Sequence, residues 1–208
     1  MPSGRPLMLL HSAYGLRPAI RDTEARLAAA GFVVEAPDLY GGRTADRLED
    51  ALALRDRLDR TRVLAELAGR AEALRVRCGG APLTLVGFSY GASRALDLAL
   101  GEPGRPREGQ VGVAAVVLFH GTSDVGRPHG AGPLPLRVLG HFGQADPWEP
   151  AEEVDQVAAR LRAAGAAVTV HRYAGAGHMF TDPGLPEFDP AATALAWRRT
   201  LAWLGPSP

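Results

Sequence analysis

Ser89 lies in Gly87-Phe88-Ser89-Tyr90-Gly91, between the apolar run Leu83–Phe88 and an Ala/Leu-rich stretch that starts at Ala92. The run predicts a short buried strand and the stretch predicts a helix, so the serine falls on the turn between them. Gly87 and Gly91 have no Cβ, which lets strand and helix approach closely at such a turn. The helix N-terminus behind Ser89 aims free N–H groups and a partial positive charge at any developing oxyanion. The pattern is that of a nucleophile elbow. A glycine-rich turn carrying an idle surface serine would read the same way, so the partners decide between the two.

A serine hydroxyl needs a base, and six histidines compete for that role. His171 falls inside a strand. His11, His120 and His141 fall at strand ends, where an imidazole often only ties loops together. His129 lies in a Pro/Gly loop with nothing beside it to orient the ring. His178, in Ala174-Gly175-Ala176-Gly177-His178, follows the last strand and precedes the last helix. That edge of the sheet is where a histidine can swing over the elbow. The acid should follow a strand between Ser89 and His178. Asp146 in Gly143-Gln144-Ala145-Asp146-Pro147 fits, with Asp124 as runner-up; an Asp-Pro turn opening the next helix is the plainer use of Asp146. Asp182 and Asp189 come after His178 and would break the order Ser…Asp…His. The oxyanion donors expected are the N–H of Tyr90 and, from His11-Ser12-Ala13-Tyr14-Gly15, the N–H of Ala13.

These groups must be positioned by the elements around them. Leu7–Leu10 reads as a buried first strand, 17–30 as an amphipathic helix closed by Gly31, and Phe32–Ala36 as a second strand. Between Thr44 and Arg77, Arg and acidic residues interleave with Leu and Ala, which predicts two exposed helices with i,i+4 pairs worth about 0.2–0.5 kcal/mol each. After the central strand and its helix come strands over 113–119, 137–142 and 168–173. Helices follow over 150–164 and about 190–204. Alternating strands and helices predict an α/β fold in one domain over residues 1–208. Its open, mostly parallel sheet has about six strands, with helices on both faces. Ligands then bind at the carboxyl ends of the strands.

The composition excludes several classes. In 208 residues, 23 basic and 23 acidic residues balance, so no electrostatic footprint points to nucleic acid or an anionic membrane. All the basic residues are arginine, and lysine and asparagine are absent, which fits a GC-rich coding sequence. The lone Cys78 permits no internal disulfide and no cysteine-rich metal site. No leader-like segment opens the chain, and no stretch approaches the ~18 apolar residues of a membrane span. A cytoplasmic protein is expected. A dinucleotide-binding fold is disfavoured, because no Gly-x-Gly-x-x-Gly follows the first strand.

On these motifs the chain resembles the dienelactone hydrolase family of α/β-hydrolases over nearly its whole length. The resemblance is carried by His11-Ser12-Ala13-Tyr14-Gly15, Ala36-Pro37-Asp38-Leu39-Tyr40-Gly41, Gly87-Phe88-Ser89-Tyr90-Gly91, Gly143-Gln144-Ala145-Asp146-Pro147 and Tyr173-Ala174-Gly175-Ala176-Gly177-His178-Met179-Phe180. It implies a compact, capless α/β-hydrolase fold with strand order 2-1-3-4-5-6, the triad Ser89, Asp146 and His178, no cofactor and no metal. Three positions depart from the family's dienelactone-opening members. Ser89 stands for a cysteine nucleophile, Ser12 for a first-loop glutamate, and Asp182 for an arginine that grips a substrate carboxylate. An acid at 182 would repel an anionic lactone, so a small neutral ester, thioester or lactone is the expected substrate, cleaved through an acyl-enzyme.

Ser12, Tyr14, Trp148, Met179 and Phe180 are expected to line the pocket, while Tyr40 and Phe188 read as packing. The other expectations are a monomer or weak homodimer with no nucleic-acid or membrane partner. A true dienelactone hydrolase, or a non-catalytic small-molecule-binding protein on the same scaffold, are the alternatives.

Overall fold

The structure is a computed structural model and describes residues 4–101, 112–123 and 134–205. Six strands, β1 (Arg5–Leu10), β2 (Phe32–Glu35), β3 (Leu83–Phe88), β4 (Val113–Phe119), β5 (Arg137–Gly143) and β6 (Ala167–Tyr173), form one sheet in the order β2-β1-β3-β4-β5-β6. Every neighbouring pair is parallel. The helices are α1 (Pro18–Ala29), α2 (Leu48–Arg55), α3 (Arg60–Arg77), α4 (Tyr90–Leu100), α5 (Ala151–Ala163) and α6 (Pro190–Leu204). This is the open parallel α/β sheet expected from the sequence, in the strand order that the family resemblance implies.

Alternation along the strands feeds two cores. Met8, Leu10, Leu85, Val116 and Leu118 face α3, α4 and α5, where they meet Leu67, Leu96 and Leu161. Leu7, Leu9, Val86, Val117 and Phe119 face the other way, onto Ile20 and Leu27 of α1 and Trp197 of α6. Strands buried on both faces read as unbroken apolar runs, which is why β1, β3 and β4 were legible. Truncating a fully buried member such as Leu85 to Ala costs about 2–5 kcal/mol.

Element ends moved by small, explicable amounts. β1 begins at Arg5, two residues before the apolar run, because Arg5 pairs with Phe32. Its guanidinium lies 4.1 Å over the Phe32 ring and donates to the carbonyl oxygens of Leu204 and Gly205. β2 ends at Glu35 rather than Ala36, ahead of the Pro37-Asp38 turn. The charged stretch does form two helices, with Arg70 pairing Glu66 and Arg75 pairing Glu72 along α3. Cys78 is buried at the C-terminus of α3. Among the described residues no helix is long and apolar enough to cross a membrane. Asp124 and His129 lie outside the described residues.

Candidate active site

At the β3–α4 junction the Ser89 backbone adopts φ 49 and ψ −113, a conformation that costs an L-residue energy and that the surrounding packing must enforce. Three glycines supply the packing. A Cβ on Gly87 would overlap the Gly91 carbonyl, one on Gly91 the carbonyls of Leu10 and His11, and one on Gly121 the carbonyl of Ser89 itself. Ser89 N–H donates to Phe119 O at 2.7 Å, and Ser93 N–H donates to Ser89 O at 3.1 Å. The turn is thus held from β4 as well as from α4.

His178 arrives from the loop after β6. Its Nε2 lies 2.8 Å from Ser89 Oγ, and its Nδ1 lies 2.8 Å from Asp146 Oδ2. The Asp146 side chain is fully buried and that of His178 is 15% exposed, so the imidazole is the group that faces solvent. With Nδ1–H donating to the carboxylate, Nε2 is left as the acceptor for the serine hydroxyl. Asp146 also accepts Trp148 N–H at 2.8 Å through Oδ1, so it opens the Asp-Pro turn as well. The loops carrying Asp146 and His178 are joined by Ala145 N–H to Ala176 O at 3.0 Å and Gln144 N–H to Tyr173 O at 2.9 Å.

Tyr90 opens α4 directly after Ser89, and Ala13 lies on the loop that follows β1; these are the two positions from which the sequence reading expects oxyanion donors. The loop that carries Ala13 is shaped by its neighbours. Ser12 O accepts Gly15 N–H at 3.1 Å and the Nδ1–H of His11 at 2.7 Å, while Ser12 Oγ accepts Tyr14 N–H at 3.2 Å. Leu39 N–H donates to His11 Nε2 at 3.1 Å. Both ring nitrogens are therefore used, and burial pushes His11 below the usual imidazole range.

The remaining described histidines do not reach Ser89. His141 is sandwiched between Tyr173 OH (2.7 Å) and Thr200 Oγ1 (2.9 Å), and burial, then His171 and Arg199, lower it to about 3. His120 has φ 56, and its Nε2 lies 2.7 Å from Thr181 Oγ1 on the loop of His178. Burial, with His178 and His141 adding to it, holds His120 well below its ordinary pKa.

The expected pocket residues divide. Tyr14 and Met179 pack with Ala13, Ala45, Ala51 and Leu185 in a small apolar cluster, against which Leu54 and Tyr90 lie partly exposed. Trp148 is 52% exposed with its ring 6.1 Å from that of His178, at the rim. Phe180 is not a pocket residue: it is 0% exposed, edge-on to His120 and against Tyr173, because the turn after His178 dives into the core. Ser12 is buried and its hydroxyl is taken by the loop, which removes it from the lining.

Asp182 also departs from expectation. It is buried, and its Oδ2 accepts from Arg17 Nε at 3.1 Å, so its charge is met internally rather than presented to a substrate. Sequence reasoning did not find Arg17, nor the half-buried Glu149, whose carboxylate accepts Thr122 N–H at 3.0 Å and Thr122 Oγ1–H at 2.8 Å. Burial pushes the Glu149 carboxyl up, although the Thr122 bonds and His178 pull it down. Ser93 Oγ in turn donates to Thr122 O, linking α4 to the loop after β4. No local motif marks these contacts, since each joins segments distant in the chain.

A sequence model of the dienelactone hydrolase family matches residues 4–207. A carboxymethylenebutenolidase from Rhodococcus opacus is 31% identical over 210 residues, covering 96% of this chain and 80% of that protein. Among solved structures, a putative dienelactone hydrolase from Klebsiella pneumoniae superposes with a TM-score of 0.76 at 24% identity, covering 96% of this chain and 86% of that one. A dienelactone hydrolase-like promiscuous phosphotriesterase, P91, from metagenomic libraries superposes with a TM-score of 0.73 at 25% identity, covering 97% and 86%.

Proposed function

This chain belongs to the dienelactone hydrolase family and is a hydrolase of carboxylic esters or lactones, and within that class we propose a serine enzyme that works through an acyl-enzyme on Ser89. The observation that carries the proposal is the unbroken chain from Ser89 Oγ to His178 Nε2 to Asp146, with both links at 2.8 Å. His178 takes the proton as Ser89 Oγ attacks the substrate carbonyl carbon. The tetrahedral oxyanion is bound by the N–H groups of Ala13 and Tyr90. On collapse His178 returns the proton to the leaving alkoxide, and the acyl group remains on Ser89. Water, deprotonated by His178, then releases the carboxylic acid by the same route. Asp146 holds the imidazole tautomer and stabilises the imidazolium that forms.

The substrate proposed is small and neutral: an ester, thioester or lactone. The support differs from the sequence argument. Asp182 is neutralised by Arg17, and Arg17 is itself engaged by Asp182 and Asp46, so the pair offers a substrate carboxylate neither strong repulsion nor a free cation. The half-buried Glu149 carboxyl lies close enough to His178 to be pulled down by it, so a second acid stands near the proposed base and disfavours an anionic substrate. The experiment is a rate comparison of p-nitrophenyl esters of graded acyl length with a dienelactone, each run beside Ser89→Ala. Faster turnover of the neutral esters, lost in Ser89→Ala, is expected. A preference for the anionic lactone would contradict the substrate class.

A further inference from the structure

We propose that Arg17 is a positioning residue of the reaction, the clamp that holds the loop of the oxyanion donor and the loop of the base in one fixed relation. This rests on the roles assigned above to Ala13 and His178. Arg17 follows the Ala13 loop by a few residues and immediately precedes α1, and it is buried. Four of its five N–H donors are engaged, and they reach two other segments. Nε donates to Asp182 Oδ2 at 3.1 Å and Nη2 to Gly184 O at 3.2 Å, both on the turn that follows His178. Nη1 donates to Ala45 O and Asp46 Oδ1, each at 2.6 Å, on the segment between β2 and α2.

The backbone agrees with this arrangement. Ala45 N–H donates to Tyr14 O at 3.0 Å, and Gly15 bridges to Thr44. A Cβ on Gly184 would overlap Arg17 Nη2, so the turn is shaped around the guanidinium. Asp182 Oδ1 accepts Gly184 N–H at 2.9 Å, so the two residues of this turn that meet the guanidinium are also tied to each other. Met179 and Leu185, which bracket this turn, pack on Ala13 and Tyr14 in the small apolar cluster. The polar clamp and the apolar contact therefore close the same junction from two sides.

A planar fork with donors in fixed directions can satisfy a carboxylate and two carbonyls at once, whereas an ammonium or an apolar side chain cannot. The Asp46 contact adds little, because that side chain is 94% exposed. The Asp182 and backbone contacts are the ones that set geometry. Their effect should appear in the transition state, when oxyanion donor and base must act on one carbonyl together, and hardly in ground-state binding.

The test uses the full-length chain, with Arg17→Met, Arg17→Lys and the double variant Arg17→Met/Asp182→Asn, which leaves no unpaired buried charge. For each variant kcat, KM and the affinity of an alkyl boronic acid, a tetrahedral adduct of the serine, are measured on a short-chain p-nitrophenyl ester. The expected result for the double variant is a cooperative melt with kcat about 100-fold down, KM within about threefold, and boronic-acid affinity falling in step with kcat/KM. Arg17→Lys should fall between the double variant and the parent. If the double variant does not fold, Gly184→Ala, which displaces the guanidinium without removing a charge, is expected to give the same signature. A folded double variant, or a folded Gly184→Ala protein, with kcat and boronic-acid affinity within about threefold of the parent overturns the proposal. Activity that survives in Ser89→Ala would instead overturn the underlying assignment of the nucleophile, so the two failures are distinguishable.

Discussion

The carbonyl oxygen of Leu10 occupies the space where a Cβ on Gly91 would have to sit. This contact locks the end of β1, from which the Ala13 loop springs, against the first turn of α4 behind Ser89. Gly91→Ala must push the two apart. Overpacking of this kind costs about 1–3 kcal/mol. The denaturant midpoint and kcat are both expected to fall, since the Ala13 loop, to which an oxyanion donor is assigned in the proposed mechanism, moves with β1. A variant with parental stability and kcat would show that the contact is slack.

Asp146 is fully buried and meets His178 Nδ1, so Asp146→Asn leaves an amide that favours the wrong imidazole tautomer. In a Ser-His-Asp triad such a change lowers kcat by about 10⁴-fold with the geometry otherwise intact, and the proposed mechanism predicts the same loss here. Steady-state kinetics on a p-nitrophenyl ester checks it. A loss of less than about tenfold would mean that another group orients the imidazole.

Thr181 ties the base loop to His120. Thr181→Val removes the hydroxyl while keeping the shape, and leaves His120 Nε2 buried without its partner; its Nδ1 already has none among the described residues. A buried polar group stripped of its bond costs about 1–3 kcal/mol. The melting temperature should drop, and Thr181→Ser should recover most of it. No difference between Thr181→Val and the parent would contradict the role.

Three buried histidines, His11, His120 and His141, are all lowered by burial, His141 to about 3. A histidine lowered in the folded state is neutral there while the unfolded chain still takes up a proton, so its contribution to stability is complete above about pH 6.5 and is lost as pH falls toward the folded value. For His141, whose folded value is about 3, the loss reaches about 1.4 kcal/mol per pH unit within that window. Urea midpoints measured from pH 7.5 to 5 should decline steadily below about pH 6.5. A flat profile over that range would show that these rings protonate without unfolding.

Most of the frame was legible because β1, β3 and β4 are buried on both faces and therefore read as continuous apolar runs. That Ser89, Asp146 and His178 would meet was legible because each follows a strand, and parallel strands bring all such loops to one edge. What stayed hidden depends on side chains meeting across the chain. Asp182 in the sequence is a bare acid near the base, and only its contact with Arg17, 165 residues away, reveals its charge as neutralised. Phe180 sits two residues from His178, yet the direction of the turn sends it into the core. Glu149 and Thr122 are joined from the loops after β5 and β4, a pairing that no spacing rule specifies.

The most direct test is the site of covalent labelling by a fluorophosphonate, read by intact mass and peptide mapping. The account predicts one phosphonyl adduct per chain on the peptide containing Ser89, together with loss of ester hydrolysis, and no adduct on folded Ser89→Ala. Folded parent protein that hydrolyses esters yet takes no label at Ser89, or Ser89→Ala that retains full activity, would contradict it.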